Sequence, residues 1–149
     1  MKSLDLSYCF GCGADNPAGL HLTKMYVGDK ARIEFQVKAE YTGFPGIMQG
    51  GMTCVLFDEV MYHAIAQYDI VAVVAKMTVD YRSPALVGDL LVCQASVTGR
   101  EGRKIEVDAT IVNGKTGVTV AEGKGLFVQV DLDRLLERSK AQAPQHSKS

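Results

Sequence analysis

One segment limits what this chain can fold into. From Pro45 to Glu59 the sequence reads PGIMQGGMTCVLFDE, a Pro/Gly turn that passes into a helical run ending near Gln67, with strands predicted on both sides. Met52, Val55, Leu56, Val60, Met61, Ala64 and Ile65 place apolar side chains almost all the way round that helix. Such a helix has no face to offer water and is buried. Gly50 and Gly51 stand at its start with no side chains to shield the free N–H groups of the first turn. Together with the helix dipole, those groups can receive a developing oxyanion. Asp58 follows seven residues after Gly51 in an otherwise apolar context. Seven residues is close to two turns, so the two share a face, yet a rise of 1.5 Å per residue separates them by roughly 10 Å along the axis. One carbonyl group cannot touch both on one helix. It can touch the glycine of one helix and Asp58 of a second, packed antiparallel across a two-fold axis. The expectation is a homodimer with composite sites, or a dimer-of-dimers tetramer.

The rest of the chain has to cover this helix. At 149 residues it is long enough for a single domain with a substantial core, expected over residues 1–139, with an irregular stretch at 1–22 and a polar, disordered tail at 140–149. Ala31 to Lys38 alternates without a fault and reads as a half-buried strand. Ile70 to Tyr81 reads as an interior strand ending at Ser83-Pro84. Gly88-Asp89 opens another, in which Leu91, Cys93, Ala95 and Val97 share one face. Gly99-Arg100-Glu101-Gly102 is read as a hairpin turn. Lys104 to Val112 puts Ile105, Val107, Ala109 and Ile111 on one face, and Asn113-Gly114 is the strongest short hairpin signal. Val118 to Val130 is the last strand, where Gly123 and Gly125 mark a bend or a close approach. Asp131 starts a short helix with Leu132, Leu135 and Leu136 as its apolar stripe. Antiparallel strands around one apolar helix predict an α+β fold, a curved sheet wrapped around it.

Composition excludes several functions. A net charge of −1 leaves no general electrostatic footprint for nucleic acid. No signal-peptide core and no span fit to cross a bilayer is present, so no membrane partner is expected and the cytoplasm is the default location. The four cysteines are read as thiols in a reducing compartment. Cys9-Phe10-Gly11-Cys12-Gly13 has the look of a metal knuckle, but zinc usually takes four ligands and the only candidate nearby in sequence is His21. The reading is a turn with two small buried thiols and no metal.

The order and spacing of short pieces carry a resemblance. Cys9-Phe10-Gly11-Cys12-Gly13 is followed by Asn16-Pro17 and Gly19-Leu20, then Gly46-Ile47 with Gly50-Gly51, Asp58-Glu59, Val79-Asp80-Tyr81-Arg82 with Pro84, and Gly88-Asp89. Over residues 8 to about 130 the chain resembles the hot-dog-fold acyl-CoA thioesterases of the phenylacetate-degradation and 4-hydroxybenzoyl-CoA thioesterase type. The resemblance implies hydrolysis of an acyl-CoA to free acid and CoA without a cofactor. It implies a backbone N–H at Gly51 or its neighbour Gly50 on the thioester carbonyl, with Asp58 of the facing subunit attacking or activating water. The family usually has His where this chain has Gln49, and Gln cannot take up a proton near neutrality. Family members also often carry a polar residue where Val74 is placed here. Arg82, Ser83, Val74 and Met48 are the candidates for contact with substrate. Glu59, about 100° further round the helix, is expected to face elsewhere than Asp58. His63 is read as a packed core residue, Thr53 as a capping or packing residue, and Cys54, without a His partner, as a poor nucleophile. The alternative function is a non-catalytic acyl-CoA-binding protein of the same fold, with Gln49 as the residue that distinguishes the two.

Overall fold

The computed structural model describes residues 4–141. Its elements in chain order are β1 (Lys24–Val27), β2 (Lys30–Gln36), α1 (Gly50–Ala66), β3 (Ala72–Tyr81), β4 (Leu90–Glu101), β5 (Lys104–Asn113), β6 (Thr119–Gln129) and α2 (Leu132–Lys140), with a short 3-10 turn at Ala39–Tyr41. The six strands form one curved antiparallel sheet in the order β1-β2-β4-β5-β6-β3. The long helix lies across its concave face, against β2 to β6. This is the wrapped-helix architecture that the apolar run demands.

The alternation of the strands supplies the inner face. Ile33 and Phe35 of β2, Leu91 and Cys93 of β4, Ile105, Val107, Ala109 and Ile111 of β5, and Phe127 of β6 are all buried. Opposite them Leu56, Phe57, Val60, Met61, Ala64 and Ile65 of α1 have no exposed surface. The expected close approach at the β6 glycines is present. A Cβ on Gly123 would lie 2.9 Å from the Phe57 ring, and one on Gly125 would lie 2.6 Å from the Met61 sulfur. The glycines thus leave room for Phe57 and Met61, which α1 drives into the sheet.

Four local expectations change. β3, expected as an interior strand, is the outer strand of the sheet beside β6, with only Ala72 buried and Met77 and Val79 half-buried, because its Val and Met side chains line an edge and not the sheet interior. β1 lies outside the predicted strands; all four of its residues are exposed, so it lacks the alternation that marked the others. It is closed onto β2 by Gly28-Asp29, with Gly28 at φ +63. The hairpin read at 99–102 moves along the chain: β4 runs on to Glu101 opposite Lys104, the turn is Gly102-Arg103 with Gly102 at φ +60, and Gly99 sits at a bulge instead. The loop after β5 is longer than a two-residue hairpin. Asn113 Oδ1 accepts from the N–H groups of Lys115 (2.9 Å) and Thr116 (3.1 Å), and Gly117, not Gly114, takes the positive φ. α2 keeps its predicted start, with the Asp131 carboxylate accepting from Arg134 N–H at 3.1 Å. It runs to Lys140, and the tail expected beyond lies, from 142 on, outside the described residues.

The contact at Gly123 yields a test. Gly123→Val is expected to destabilise the chain by about 1–3 kcal/mol through overpacking against Phe57. Trimming Phe57 to Leu in the same chain should recover part of that loss, because the two sites share one space. Urea midpoints at one fixed protein concentration measure both; an unchanged midpoint for Gly123→Val would contradict the close approach.

Candidate active site

The start of α1 is held from three directions. Gln49 N–H donates to the Tyr41 carbonyl at 2.7 Å, and Met48 N–H to the Ala85 carbonyl at 2.8 Å. The Tyr81 hydroxyl, at the end of β3, donates to the Gly50 carbonyl at 2.7 Å. Gln49 is the N-cap: in extended conformation (φ −61, ψ 134), its side-chain oxygen accepts from Gly51 N–H. A capping side chain normally satisfies one of the four free N–H groups of a helix start. Here it takes Gly51 out of use and leaves the Gly50 N–H with no partner among the described residues. Of the two glycines, Gly50 is therefore the one whose N–H is available to a ligand. Around it lies a cavity of about 330 Å³, with Met48, Thr53, Tyr81, Arg82 and Ser83 in its wall.

Asp58 is not in that cavity. It lies in the exposed stripe of α1 with Gly51 and Cys54, and lines a second cavity of about 370 Å³. The walls there are mostly apolar: Leu6 from the N-terminal segment, Val71 to Val74 at the start of β3, Phe127 from β6 and Leu135 from α2. Desolvation beside these walls, and then the neighbouring Glu59 carboxylate, raise the Asp58 pKa above its ordinary value. Val74, 41% exposed, lines the Asp58 cavity, while Met48, Arg82 and Ser83 line the Gly50 cavity. Within one chain the residues singled out by sequence fall into two groups, and the structure does not bring them together.

Glu59, expected to face elsewhere than Asp58, lines the same cavity, with its side chain 14% exposed. Its carboxylate turns to the N-terminal loop, where Cys9 Sγ donates to Oε1 at 3.2 Å, and it shares the Asp58 cavity with Cys9 and Cys12. Burial pushes the Glu59 carboxyl up; contacts with His63, Cys9 and Cys12 outweigh that and bring it below its ordinary value. Burial and the Glu59 charge push the Cys12 thiol to about 12, so it is no nucleophile at neutral pH. His63 is a core residue, 1% exposed, and the Tyr26 hydroxyl donates to its carbonyl at 3.0 Å. Thr53 is buried. Cys54 Sγ lies 3.7 Å from the Tyr81 hydroxyl and meets no His among the described residues. Sequence reasoning missed Tyr81 as a support of the helix start, and missed Glu59 as partner of the two thiols. No local spacing could have found the second, because Glu59 lies 50 residues after Cys9.

A family model for the thioesterase superfamily matches residues 45–120. No curated protein matches the chain. Among solved structures, the PaaI protein of the phenylacetic acid degradation operon of E. coli superposes with a TM-score of 0.70 at 24% identity, over 75% of this chain and 81% of that one. Zebrafish thioesterase superfamily member 2 gives 0.70 at 21%, over 85% and 94%. A hypothetical thioesterase of Streptococcus pneumoniae, solved with coenzyme A, gives 0.69 at 14%, over 73% and 85%. These identities bear on the fold. Among the described residues no helix is long and apolar enough to cross a membrane.

The raised Asp58 pKa has a consequence for stability. The folded chain holds this proton more tightly than the unfolded one. The stability this contributes is present below the ordinary value of 3.8 and is lost as pH rises through the raised value. At neutral pH the ionised carboxylate therefore destabilises the fold. Asp58→Asn, which resembles the protonated acid, is expected to melt above the wild type at neutral pH, with the gap closing in acid. A variant that melts lower at neutral pH, with a gap indifferent to pH, would contradict this.

Proposed function

Because the chain belongs to the thioesterase superfamily, we propose that it is an acyl-CoA thioesterase, which hydrolyses the thioester to a free acid and CoA at sites shared between two copies. The observation that carries the reading is the division of site residues between two cavities. The available Gly50 N–H, with Arg82, Ser83 and Met48, borders one; Asp58 and Val74 border the other. An antiparallel pair of α1 helices would bring the Gly50 cavity of one chain against the Asp58 cavity of its partner. The edge of the sheet supports such a pair. Among the described residues β3 is the outermost strand, with no neighbour on its outer side, and Val73, Val74 and Tyr81 are exposed along it. A ten-residue edge that exposes Val73, Val74 and Tyr81 invites pairing with a second copy.

In this reading the thioester carbonyl accepts from Gly50 N–H, which faces the oxygen where charge develops in the transition state. The Asp58 carboxylate of the other subunit takes a proton from water. The water oxygen attacks the carbonyl carbon, the C–S bond breaks, and the CoA sulfur leaves as a thiolate that takes up a proton. A raised pKa makes Asp58 a stronger base than an ordinary carboxylate. Gln49 has no part in proton transfer; it caps the helix and leaves Gly50 as the donor. The apolar cavity beside Asp58 suits a hydrocarbon or aromatic acyl group, and Arg82 suits the CoA phosphates. The CoA-bound S. pneumoniae protein of the same fold is consistent with that class of ligand. Four free thiols fit a reducing compartment, so the cytoplasm is the proposed location. The second reading, a protein that binds acyl-CoA without hydrolysing it, rests on Gln49, which replaces a titratable His.

The test is thiol release from a panel of short, medium, branched and aromatic acyl-CoAs. Asp58→Asn should lower turnover on the best of them by about 10²–10⁴-fold, the typical loss for a positioned general base, with binding nearly intact. Gln49→Ala should cost about 1 kcal/mol of stability as a lost cap and far less turnover than Asp58→Asn. Acyl-CoA binding with no turnover on any member, in a chain that light scattering finds dimeric, would favour the second reading.

A further inference from the structure

The thiols of Cys9 and Cys12 and the Glu59 carboxylate converge in a corner that the thioesterase reading leaves unused. Their ligand atoms all lie within 4.8 Å of one another. The corner is built, not incidental. The loop carrying the thiols is folded on itself by Gly13 N–H to the Cys9 carbonyl and held by Leu20 N–H to the Phe10 carbonyl and Leu22 N–H to the Gly11 carbonyl, each at 2.8 Å. Gly11, between the two cysteines, lies directly against Glu59; a Cβ there would overlap the carboxylate. Behind the carboxylate stands His63, whose Nε2 is 3.3 Å from Glu59 Oε2. Yet Glu59 Oε2 and both His63 ring nitrogens are buried with no completed hydrogen bond among the described residues. Buried polar atoms are nearly always satisfied, and a cluster that is not calls for an explanation.

We propose that Cys9, Cys12 and Glu59 bind a zinc ion that fastens the N-terminal loop to α1, with His63 steadying the carboxylate from behind. Two thiolates and a carboxylate are a zinc donor set. A tetrahedral ion with bonds of about 2.3 Å to sulfur and 2.0 Å to oxygen sets its sulfur and oxygen ligands about 3.5 Å apart. The Cys9 Sγ to Glu59 Oε1 distance of 3.2 Å is already close to that. Binding releases the two thiol protons to solvent. The fourth position falls to a water molecule from the cavity that all three residues line. His63 acts through Glu59 as a positioning residue, in the manner of the partners that orient metal-bound carboxylates. His21, the partner suggested by its place in the sequence, is engaged elsewhere: its Nδ1 lies 3.1 Å from the Gly13 carbonyl. The ion would fix one wall of the Asp58 cavity, because Leu6 lies just ahead of the loop and lines it too.

The experiment needs no turnover and so is decided separately from the proposed activity. The full chain, purified under reducing conditions without a metal-affinity step, is analysed for zinc and, after chelation, titrated with Co²⁺. About one zinc per chain and a saturable thiolate-to-cobalt charge-transfer band are expected. Cys12→Ser should abolish the band, Glu59→Gln should weaken cobalt binding by at least about ten-fold, and His21→Ala should bind as wild type. A wild-type chain without zinc and without the charge-transfer band would overturn the proposal even if every variant failed to fold. So would undiminished metal in Cys12→Ser, or a Cys9–Cys12 disulfide in the reduced preparation.

Discussion

A helix with apolar residues on nearly every side stays out of water only if something curves around it. In this chain that covering is one antiparallel sheet, and the sheet is shaped to the helix residue by residue. Phe57 and Met61 meet glycine on β6, at Gly123 and Gly125, and β5 meets the helix with Ile105, Val107 and Ile111. The side of α1 left uncovered is narrow and contains Gly51, Cys54 and Asp58. What the sheet cannot cover is thus the stripe that carries the candidate chemistry.

The same geometry divides the candidate site. Helix rise keeps the first turn and Asp58 roughly two turns apart, and each faces its own cavity. Neither cavity alone holds both an N–H donor for an oxyanion and a carboxylate base. The unpaired edge of β3 flanks both, since Tyr81 at one end of the strand supports the helix start and Val73 and Val74 at the other line the Asp58 cavity. A second copy docked along that edge would complete both sites at once, and it would also cover apolar surface that a single chain leaves in water.

Much of this was legible in the residue order. The long apolar run located the helix within a residue of Gly50–Ala66, and alternation located β2, β4 and β5, because in those elements burial dictates the pattern. β3 was found by its Val and Met content but was placed wrongly in the interior, since seven of its ten residues are exposed. Where burial does not dictate, the reading failed. β1 has no buried residue, and its only signal was Gly28-Asp29 beside Val27. Gly99 read as a turn because a bulge and a turn both call for glycine. At the site, the spacing of Gly50, Gly51 and Asp58 was visible, but which N–H is free was not. That depends on the rotamer of Gln49, which the structure turns onto Gly51. The meeting of Cys9 and Cys12 with Glu59, 50 residues after Cys9, is a tertiary event that no local spacing announces.

The central claim is that Gly50 and Asp58 act on one substrate from different chains, and subunit mixing tests it most directly. Gly50→Pro removes only the donor N–H: proline is favoured at the first helical position, Gln49 already has the extended conformation that proline requires before it, and a Cβ at Gly50 has room, 3.7 Å from the Tyr81 hydroxyl. Gly50→Pro and Asp58→Asn homodimers should each be nearly inactive. After the two are unfolded together and refolded at equal concentration, half the dimers are mixed and each carries one intact site, so about a quarter of wild-type turnover should return. A mixture that stays as inactive as its parents, with mixed dimers shown to be present, would contradict the account.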